Sequence, residues 1–201
     1  HLLRGTPYVY QGEELGMSNT VFEGIEDFED IESTNYYRLA VECGEDPQTV
    51  LSGLRAMGRD NARTPVQWDG STHAGFTEGR PWIAVNPNYP VINASEQVGD
   101  PTSVFAYFKA LIELRHRLAV VADGSFERID AGSREIFAYR RVLGERELIV
   151  ISNLSSHDAR PALPSNISEA ASEFVPVLTN ANVWEEMDAP LAPWRVRVFL
   201  R

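Results

Sequence analysis

The sequence predicts two parts of different fold class, an α/β part over residues 1–119 and an all-β part over residues 120–201. In the first part, a short strand-like run is followed by longer segments whose apolar residues recur at helical spacing. In the second part, short β-branched runs alternate with turn residues, at 124–129, 135–142, 147–152, 173–178 and 194–200. Evenly spaced short strands without helices indicate an antiparallel β-sandwich. We therefore expect the domain boundary at residues 119–121.

The first expected element is a strand and its exit turn within residues 2–17. The run Tyr-Val-Tyr at residues 8–10 consists of good strand formers and lies between Gly5 and Gly12. Because the run is apolar on both faces, it predicts a buried parallel strand rather than a half-exposed one.

Helices are expected next. The first should cover residues 33–43 and end at Gly44. The second has clear ends, because Asp46 can cap it, Pro47 suits its first position and Gly58 suits its C-terminal cap.

A third helix should begin near the Asp-Pro pair at residues 100–101 and reach about Leu118. Before it, residues 70–98 are rich in Gly, Pro and Asn and predict ordered irregular structure. Such long connections in compact domains are usually functional.

Composition excludes several function classes. The chain carries 29 acidic and 18 basic residues, a net charge of −11, so it lacks the basic footprint of a nucleic-acid-binding protein. No apolar run approaches the ~20 residues of a membrane helix. Cys43 is the only cysteine, which rules out an intrachain disulfide and suits a cytoplasmic location. The four histidines have no metal-ligand spacing, so we expect no metal and no cofactor.

Residues 58–69, Gly-Arg-Asp-Asn-Ala-Arg-Thr-Pro-Val-Gln-Trp-Asp, concentrate charge in the middle of the chain. The string has no period of 2 or 3.6, so it predicts a loop, and Pro65 restricts Thr64 to extended conformations. Loops with fixed charges and an aromatic residue are often ligand sites. A structural loop held by salt bridges is the alternative, and this string alone does not separate the two.

This string resembles a segment of the α-amylase-type glycoside hydrolases, in their oligo-1,6-glucosidase and α-glucosidase branch. Three further stretches resemble that branch in the same order: residues 5–17, residues 74–77 with 81–83, and residues 85–89. The resemblance covers essentially the whole chain. It implies that residues 5–17 are the last strand of a (β/α)8 barrel, that residues 70–98 lie over its active-site face, and that the third helix is the last barrel helix.

The resemblance also implies what is missing. The family uses a nucleophilic Asp, an acid/base Glu and a stabilising Asp on earlier barrel strands, and this sequence contains none of those motifs. A whole barrel needs roughly 250 residues, more than the 201 present. We therefore expect the C-terminal portion of a longer enzyme, inactive alone. Its expected partners are an oligosaccharide substrate and the missing N-terminal part, with self-association through uncovered apolar surface.

The implied site residues are substrate-binding ones, with no catalytic residue in this chain. Arg63 is implied to reach the terminal glucose and to pair with an upstream Asp, whereas the alternative is a structural bridge to Asp60. Glu32 lies in a segment whose family counterpart approaches the substrate entrance. Of Glu13 and Glu14, one should line the pocket mouth or bond a loop backbone.

The rest of the charged loop predicts structural roles. Arg59 and Asp60 are expected to staple the loop, and Asn61 to bond turn backbone. Trp68 is interpreted as a buried anchor, with stacking on a sugar face as the alternative.

The implied activity is that of a retaining exo-acting α-glucosidase for α-1,4 or α-1,6 bonds. The alternatives are a sucrose isomerase or transglucosidase of the same family, and a non-catalytic relative like the heavy chains of amino-acid transporters.

Overall fold

A computed structural model describes residues 1–201. The chain forms two compact units: one is Val9–Phe108, and the other combines His1–Tyr8 with Lys109–Arg201. The domain boundary at residues 119–121 stays a prediction. None of the chain's helices combines the length and the apolar composition that a membrane span requires.

The unit Val9–Phe108 is built from helices and irregular segments. Its helices are α1 (Ile31–Glu42), α2 (Pro47–Met57), α3 (Ala94–Gln97) and the start of α4 (Val104–Arg117). Short 3-10 turns lie at Glu13–Leu15, Ile25–Asp27, Arg59–Arg63 and Thr72–Gly75. A core cluster joins Phe22, Phe28, Leu51 and Ile83, with the two phenylalanine rings stacked 4.2 Å apart. Residues 70–98 are irregular apart from one turn and α3, as the sequence predicts.

The ends of α2 confirm the capping prediction. The Asp46 carboxylate accepts the Thr49 N–H at 2.8 Å, Pro47 occupies the first turn and Gly58 follows the last residue. By contrast, α1 begins two residues earlier than expected. The reason is that Asp30 caps it by accepting the N–H of Ser33 at 3.3 Å.

Helix α4 begins later than the Asp-Pro pair suggests. The Asp100 carboxylate accepts the Thr102 N–H at 2.8 Å and so organises only a preceding turn. The Ser103 hydroxyl then accepts the Ala106 N–H at 3.1 Å, which is the N-cap geometry that starts the helix.

The second unit holds one five-stranded antiparallel sheet of order β1-β2-β3-β5-β4. Its strands are β1 (Glu127–Ile129), β2 (Ile136–Leu143), β3 (Arg146–Asn153), β4 (Val175–Thr179) and β5 (Val196–Leu200). Two short helices, α5 (Ala119–Asp123) and α6 (Ser165–Ser168), accompany the sheet. All five strand predictions are therefore confirmed, within a few residues at the ends.

The prediction of a two-sheet sandwich is wrong, because all five strands belong to one sheet. The core cluster shows what replaces a second sheet. Residues from α6 and from segments outside the five strands, two of which are joined by an isolated β-bridge between Ala159 and Leu191, pack with the sheet residues Ile149, Ile151 and Phe199 in that cluster. These covering residues are Ala159, Ile167, Phe174, Met187 and Leu191. Short apolar runs identify strands but do not specify what covers them.

The predicted strand at residues 8–10 is not formed either. The segment is irregular, and the exposed fractions of Tyr8 and Tyr10 are 90% and 50%. A strand requires a hydrogen-bonded neighbour, and the five strands of this chain pair only with one another.

Candidate functional site

The site is built on Asp60, which lies in the turn Arg59–Arg63 and has no exposed surface. Its Oδ2 accepts the backbone N–H groups of Glu29 and Asp30, both at 2.8 Å, and its Oδ1 accepts Arg63 Nη1 at 3.2 Å. One carboxylate therefore joins the turn to the segment that starts α1. Asp60 therefore bonds within the loop through Arg63, as predicted, and in addition joins the loop to residues 29–30.

Arg63 is held between two carboxylates. Its Nη1 donates to Asp60 and also to Asp30 Oδ1, the latter at 3.1 Å. These hydrogen bonds, led by that to Asp30, raise the pKa of Arg63. The structural bridge considered as an alternative is thus present, yet the side chain is 34% exposed and its Nε and Nη2 make no hydrogen bond with the protein. A substrate role for Arg63 stays a prediction.

Asp30 is the site residue that sequence reasoning missed. It is 5% exposed and accepts hydrogen bonds from Ser33, Arg59 and Arg63. Burial alone raises its pKa, but the hydrogen bonds from Ser33 and Arg63 and the charge of Arg59 outweigh it, so the net pKa is lowered. An Asp that directly precedes the first residue of a helix is a typical N-cap, and this pattern was the signal in the sequence that could have identified Asp30.

Arg59 and Glu32 form the exposed edge of this cluster. Arg59 donates to Asp30 Oδ1 at 3.0 Å and is paired with Glu32, whose side chain is 76% exposed. Arg59 therefore links the loop to the start of α1, whereas the sequence predicted a link within the loop. Together with Tyr36 and Met57, these residues line a groove of about 720 Å³.

Glu13 lies in a second groove, of about 420 Å³, which it lines with Arg59, Asn61 and Ala62. Glu13 and Arg59 therefore share a groove, whereas Arg63 lines neither of the two. Glu14 instead accepts the N–H of Gly12 at 2.8 Å, which is the loop-backbone role foreseen for one of the two glutamates.

Two further residues of the charged loop can be placed. Asn61 accepts the Thr20 N–H at 3.2 Å and donates to the Arg55 carbonyl at 2.9 Å, so its backbone-bonding role is confirmed. The buried-anchor interpretation of Trp68 is wrong, because this side chain is 54% exposed. Its backbone holds the loop instead, with the Trp68 N–H donating to the Ala74 carbonyl at 2.9 Å.

The chemistry of the cluster is that of charge-assisted hydrogen bonding. It combines two guanidinium groups with the carboxylates of Asp30, Glu32 and Asp60. Planar guanidinium groups held by carboxylates present fixed N–H donors, which suit hydroxyl and carboxylate ligands. No three His, Cys, Asp or Glu side chains of the structure form a group that could hold a metal ion.

Comparison with known proteins identifies the family of the chain. Residues 1–124 match the family model described as alpha amylase, catalytic domain. The chain is 46% identical over 201 residues to an oligo-1,6-glucosidase of Parageobacillus thermoglucosidasius, covering 99% of this chain and 36% of the relative. It is 47% identical over 176 residues to an oligo-1,6-glucosidase of Bacillus cereus, covering 87% of this chain and 32% of that protein.

Solved structures give the same picture. Trehalose-6-phosphate hydrolase of Bacillus licheniformis is similar with a TM-score of 0.91 and 38% identity, covering 99% of this chain and 36% of that one. A trehalulose synthase of Pseudomonas mesoacidophila is similar with a TM-score of 0.89 and 34% identity, covering 98% and 36%. The chain thus spans 32–36% of the length of these relatives. Since the family model matches more than half of its residues, this chain belongs to the alpha-amylase family.

Proposed function

We propose that this chain forms the C-terminal portion of a retaining, exo-acting α-glucosidase that hydrolyses α-1,4 or α-1,6 bonds of short oligosaccharides. In this proposal the nucleophilic Asp and the acid/base Glu lie on an earlier part of the same enzyme. The Asp attacks the anomeric carbon, the Glu protonates the leaving oxygen, and water then hydrolyses the glucosyl-enzyme. The relatives with 46% and 47% identity are named oligo-1,6-glucosidases, which supports this substrate class.

The observation that carries the proposal is the position of Arg63. Its guanidinium is fixed by Asp30 and Asp60 through Nη1, while Nε and Nη2 make no bond to the protein. A guanidinium fixed in this way can hold a sugar hydroxyl and a further carboxylate at once. Such a contact would fix the terminal glucose and close the end of the pocket, which makes the enzyme act from the chain end.

The segment at residues 8–10 supports an earlier part of the enzyme as partner. Tyr8 is 90% exposed, Val9 46% and Tyr10 50%, although the run has strong strand propensity. We propose that earlier barrel strands pair with this segment and cover it, and that the chain alone self-associates through it. We also propose a cytoplasmic location, which the single exposed Cys43 supports.

A second candidate is sucrose isomerisation, because trehalulose and isomaltulose synthases are among the similar solved structures. These synthases are 33–35% identical to the chain, against 46% and 47% for the two oligo-1,6-glucosidases. The hydrolase is therefore the favoured proposal.

The test measures glucose release from isomaltose and maltose. It uses the 201-residue chain alone and the same chain joined to the earlier part of the enzyme that this proposal assigns to it. We expect glucose from the longer polypeptide and none from the chain alone. Trehalulose or isomaltulose as the main product from sucrose would replace the proposal by the isomerase. Glucose release by the chain alone would place the catalytic carboxylates within residues 1–201 and contradict the non-catalytic roles of Glu13, Glu14 and Asp60.

A further inference from the structure

A third groove lies in the unit Val9–Phe108. It contains no residue of the turn Arg59–Arg63. We call it the Trp82 groove. It has a volume of about 510 Å³ and shares no lining residue with the other two. This volume falls within the ~300–1,000 Å³ that is usual for small-molecule sites. The lining residues used below are Glu26, Glu29, His73, Arg80, Trp82 and Tyr89.

The groove presents a large aromatic face to solvent. Trp82 is 66% exposed, whereas its neighbour Ile83 is 2% exposed and belongs to the core cluster with Phe22 and Phe28. The backbone is thus anchored by Ile83 while the indole stays uncovered. Tyr89 is a second aromatic residue of the lining. A flat apolar face with a polar edge suits a ligand that is apolar on one side and polar on the other.

Three polar side chains of the groove are free to bind a ligand, whereas the Asp27 carboxylate already accepts the backbone N–H groups of Glu23 and Gly24. The side chains of Glu26, Glu29 and Arg80 are exposed and make no hydrogen bond or ion pair within the protein. Carboxylates accept hydrogen bonds and a guanidinium donates them. A polyhydroxylated ligand, whose hydroxyl groups both donate and accept, can use all three.

The backbone around the groove is held by buried amide side chains. Asn86 donates to the Ser18 carbonyl at 2.9 Å, and Asn93 donates to the Tyr89 carbonyl at 2.8 Å. His73 and Ala74 adopt left-handed backbone conformations, with φ of 54° and 55°. Consecutive non-glycine residues in this region carry strain that often accompanies functional sites. A groove held in this way loses little conformational entropy when a ligand binds.

We propose that the Trp82 groove, which shares no lining residue with the two grooves beside the turn Arg59–Arg63, is a binding site for a neutral gluco-oligosaccharide. One pyranose ring stacks its C–H face on the Trp82 indole, and its hydroxyl groups bond Glu26, Glu29 and Arg80. The lining contains three carboxylates, since Asp27 also contributes, against one guanidinium, so a phosphorylated sugar is disfavoured. The choice of a glucose-based ligand rests on the proposed function, whereas the choice of a neutral sugar rests on the groove itself.

The test is an NMR titration of the 201-residue chain with isomaltotriose and maltotriose, following the four indole N–H signals. We expect the Trp82 signal to shift saturably and Trp82→Ala to weaken binding about tenfold. Trp82→Phe keeps an aromatic face and should retain most of the affinity. Trp184→Ala is the matched control, because Trp184 is 58% exposed and lies in the other unit. This control should leave the affinity unchanged within twofold.

Each other outcome counts against the proposal. The absence of a saturable Trp82 shift, or equal weakening by Trp184→Ala, would remove the site. Equally tight binding of glucose 6-phosphate would refute the neutral-sugar assignment. Since Trp82 lies outside the core, an unchanged amide spectrum of Trp82→Ala separates lost binding from lost folding. Binding by the chain alone requires no hydrolysis, so an inactive longer polypeptide would refute the proposed function and leave this site standing.

Discussion

Asp60→Ala should unfold the turn Arg59–Arg63, because the fully buried Asp60 carboxylate accepts hydrogen bonds from two backbone amides. The substitution leaves the N–H groups of Glu29 and Asp30 without the acceptor that each now has at 2.8 Å. A buried donor without its partner costs about 1–3 kcal/mol, so the two together cost about 2–6 kcal/mol. This is a large part of the stability of an ordinary domain, which is about 5–15 kcal/mol.

Asp60→Asn provides the graded comparison. Both amides bond the same oxygen, Oδ2, and the asparagine carbonyl oxygen can occupy that position. The only acceptor that is lost is Oδ1, which receives the hydrogen bond from Arg63, because the amide N–H₂ group in its place cannot accept a hydrogen bond. The stability loss should therefore be less than half of that for Asp60→Ala.

The assay is urea-dependent amide hydrogen exchange, read at Glu29 and Asp30, because the two compact units need not unfold together. Asp60→Ala should abolish protection at these amides, while Asp60→Asn retains part of it. Asp158→Asn, at an exposed carboxylate without a hydrogen bond, is the matched control. A stability of Asp60→Ala within about 0.5 kcal/mol of the original would refute the stapling role.

Three further predictions concern Arg63, Asp30 and Arg141. In the longer polypeptide, Arg63→Lys should lower kcat/KM for isomaltose roughly 100-fold, because an ammonium group cannot reproduce the planar, forked hydrogen bonding of a guanidinium. An unchanged kcat/KM would contradict contact between Arg63 and the substrate. The lowered pKa of Asp30 adds stability that is present above its unfolded pKa of about 3.9 and is lost as the pH falls through the folded value. Asp30→Asn should therefore flatten the acid side of the pH–stability curve, and an unaltered curve would exclude this contribution. Arg141 is fully buried and donates to the carbonyls of Leu2, Gly124 and Ser125. Arg141→Ala should therefore lower the free energy of unfolding of the sheet unit by about 2–4 kcal/mol, measured by urea unfolding. A loss below about 0.5 kcal/mol would count against this stabilising role.

Local signals in the sequence were sufficient wherever the stabilising contact is also local. The bounds of α2 follow from Asp46, Pro47 and Gly58, whose interactions lie within four residues. The five strands follow from β-branched runs and turn residues. For the same reason the roles of Asn61 and Glu14 in bonding nearby backbone could be foreseen.

Contacts between distant segments could not be predicted in this way. Asp30 meets Arg63 across 33 positions, and no local pattern relates the two. The segment at residues 8–10 has strand propensity, but propensity cannot supply a neighbouring strand. The single sheet in place of a sandwich has a similar origin, since the residues that cover it, such as Met187 and Leu191, lie outside the five strands.

The hydrogen bond from Arg141 to the Leu2 carbonyl, 2.6 Å long, bears on the order of events during synthesis. The two residues are 139 positions apart. At roughly 5–20 residues per second, a ribosome makes Arg141 about 7–28 s after Leu2. The contiguous unit Val9–Phe108 is complete before that moment, whereas residues 1–8 wait for their partners in the sheet unit. Nascent chains stalled before residue 141 should therefore expose Leu2 to proteases, and longer ones should protect it.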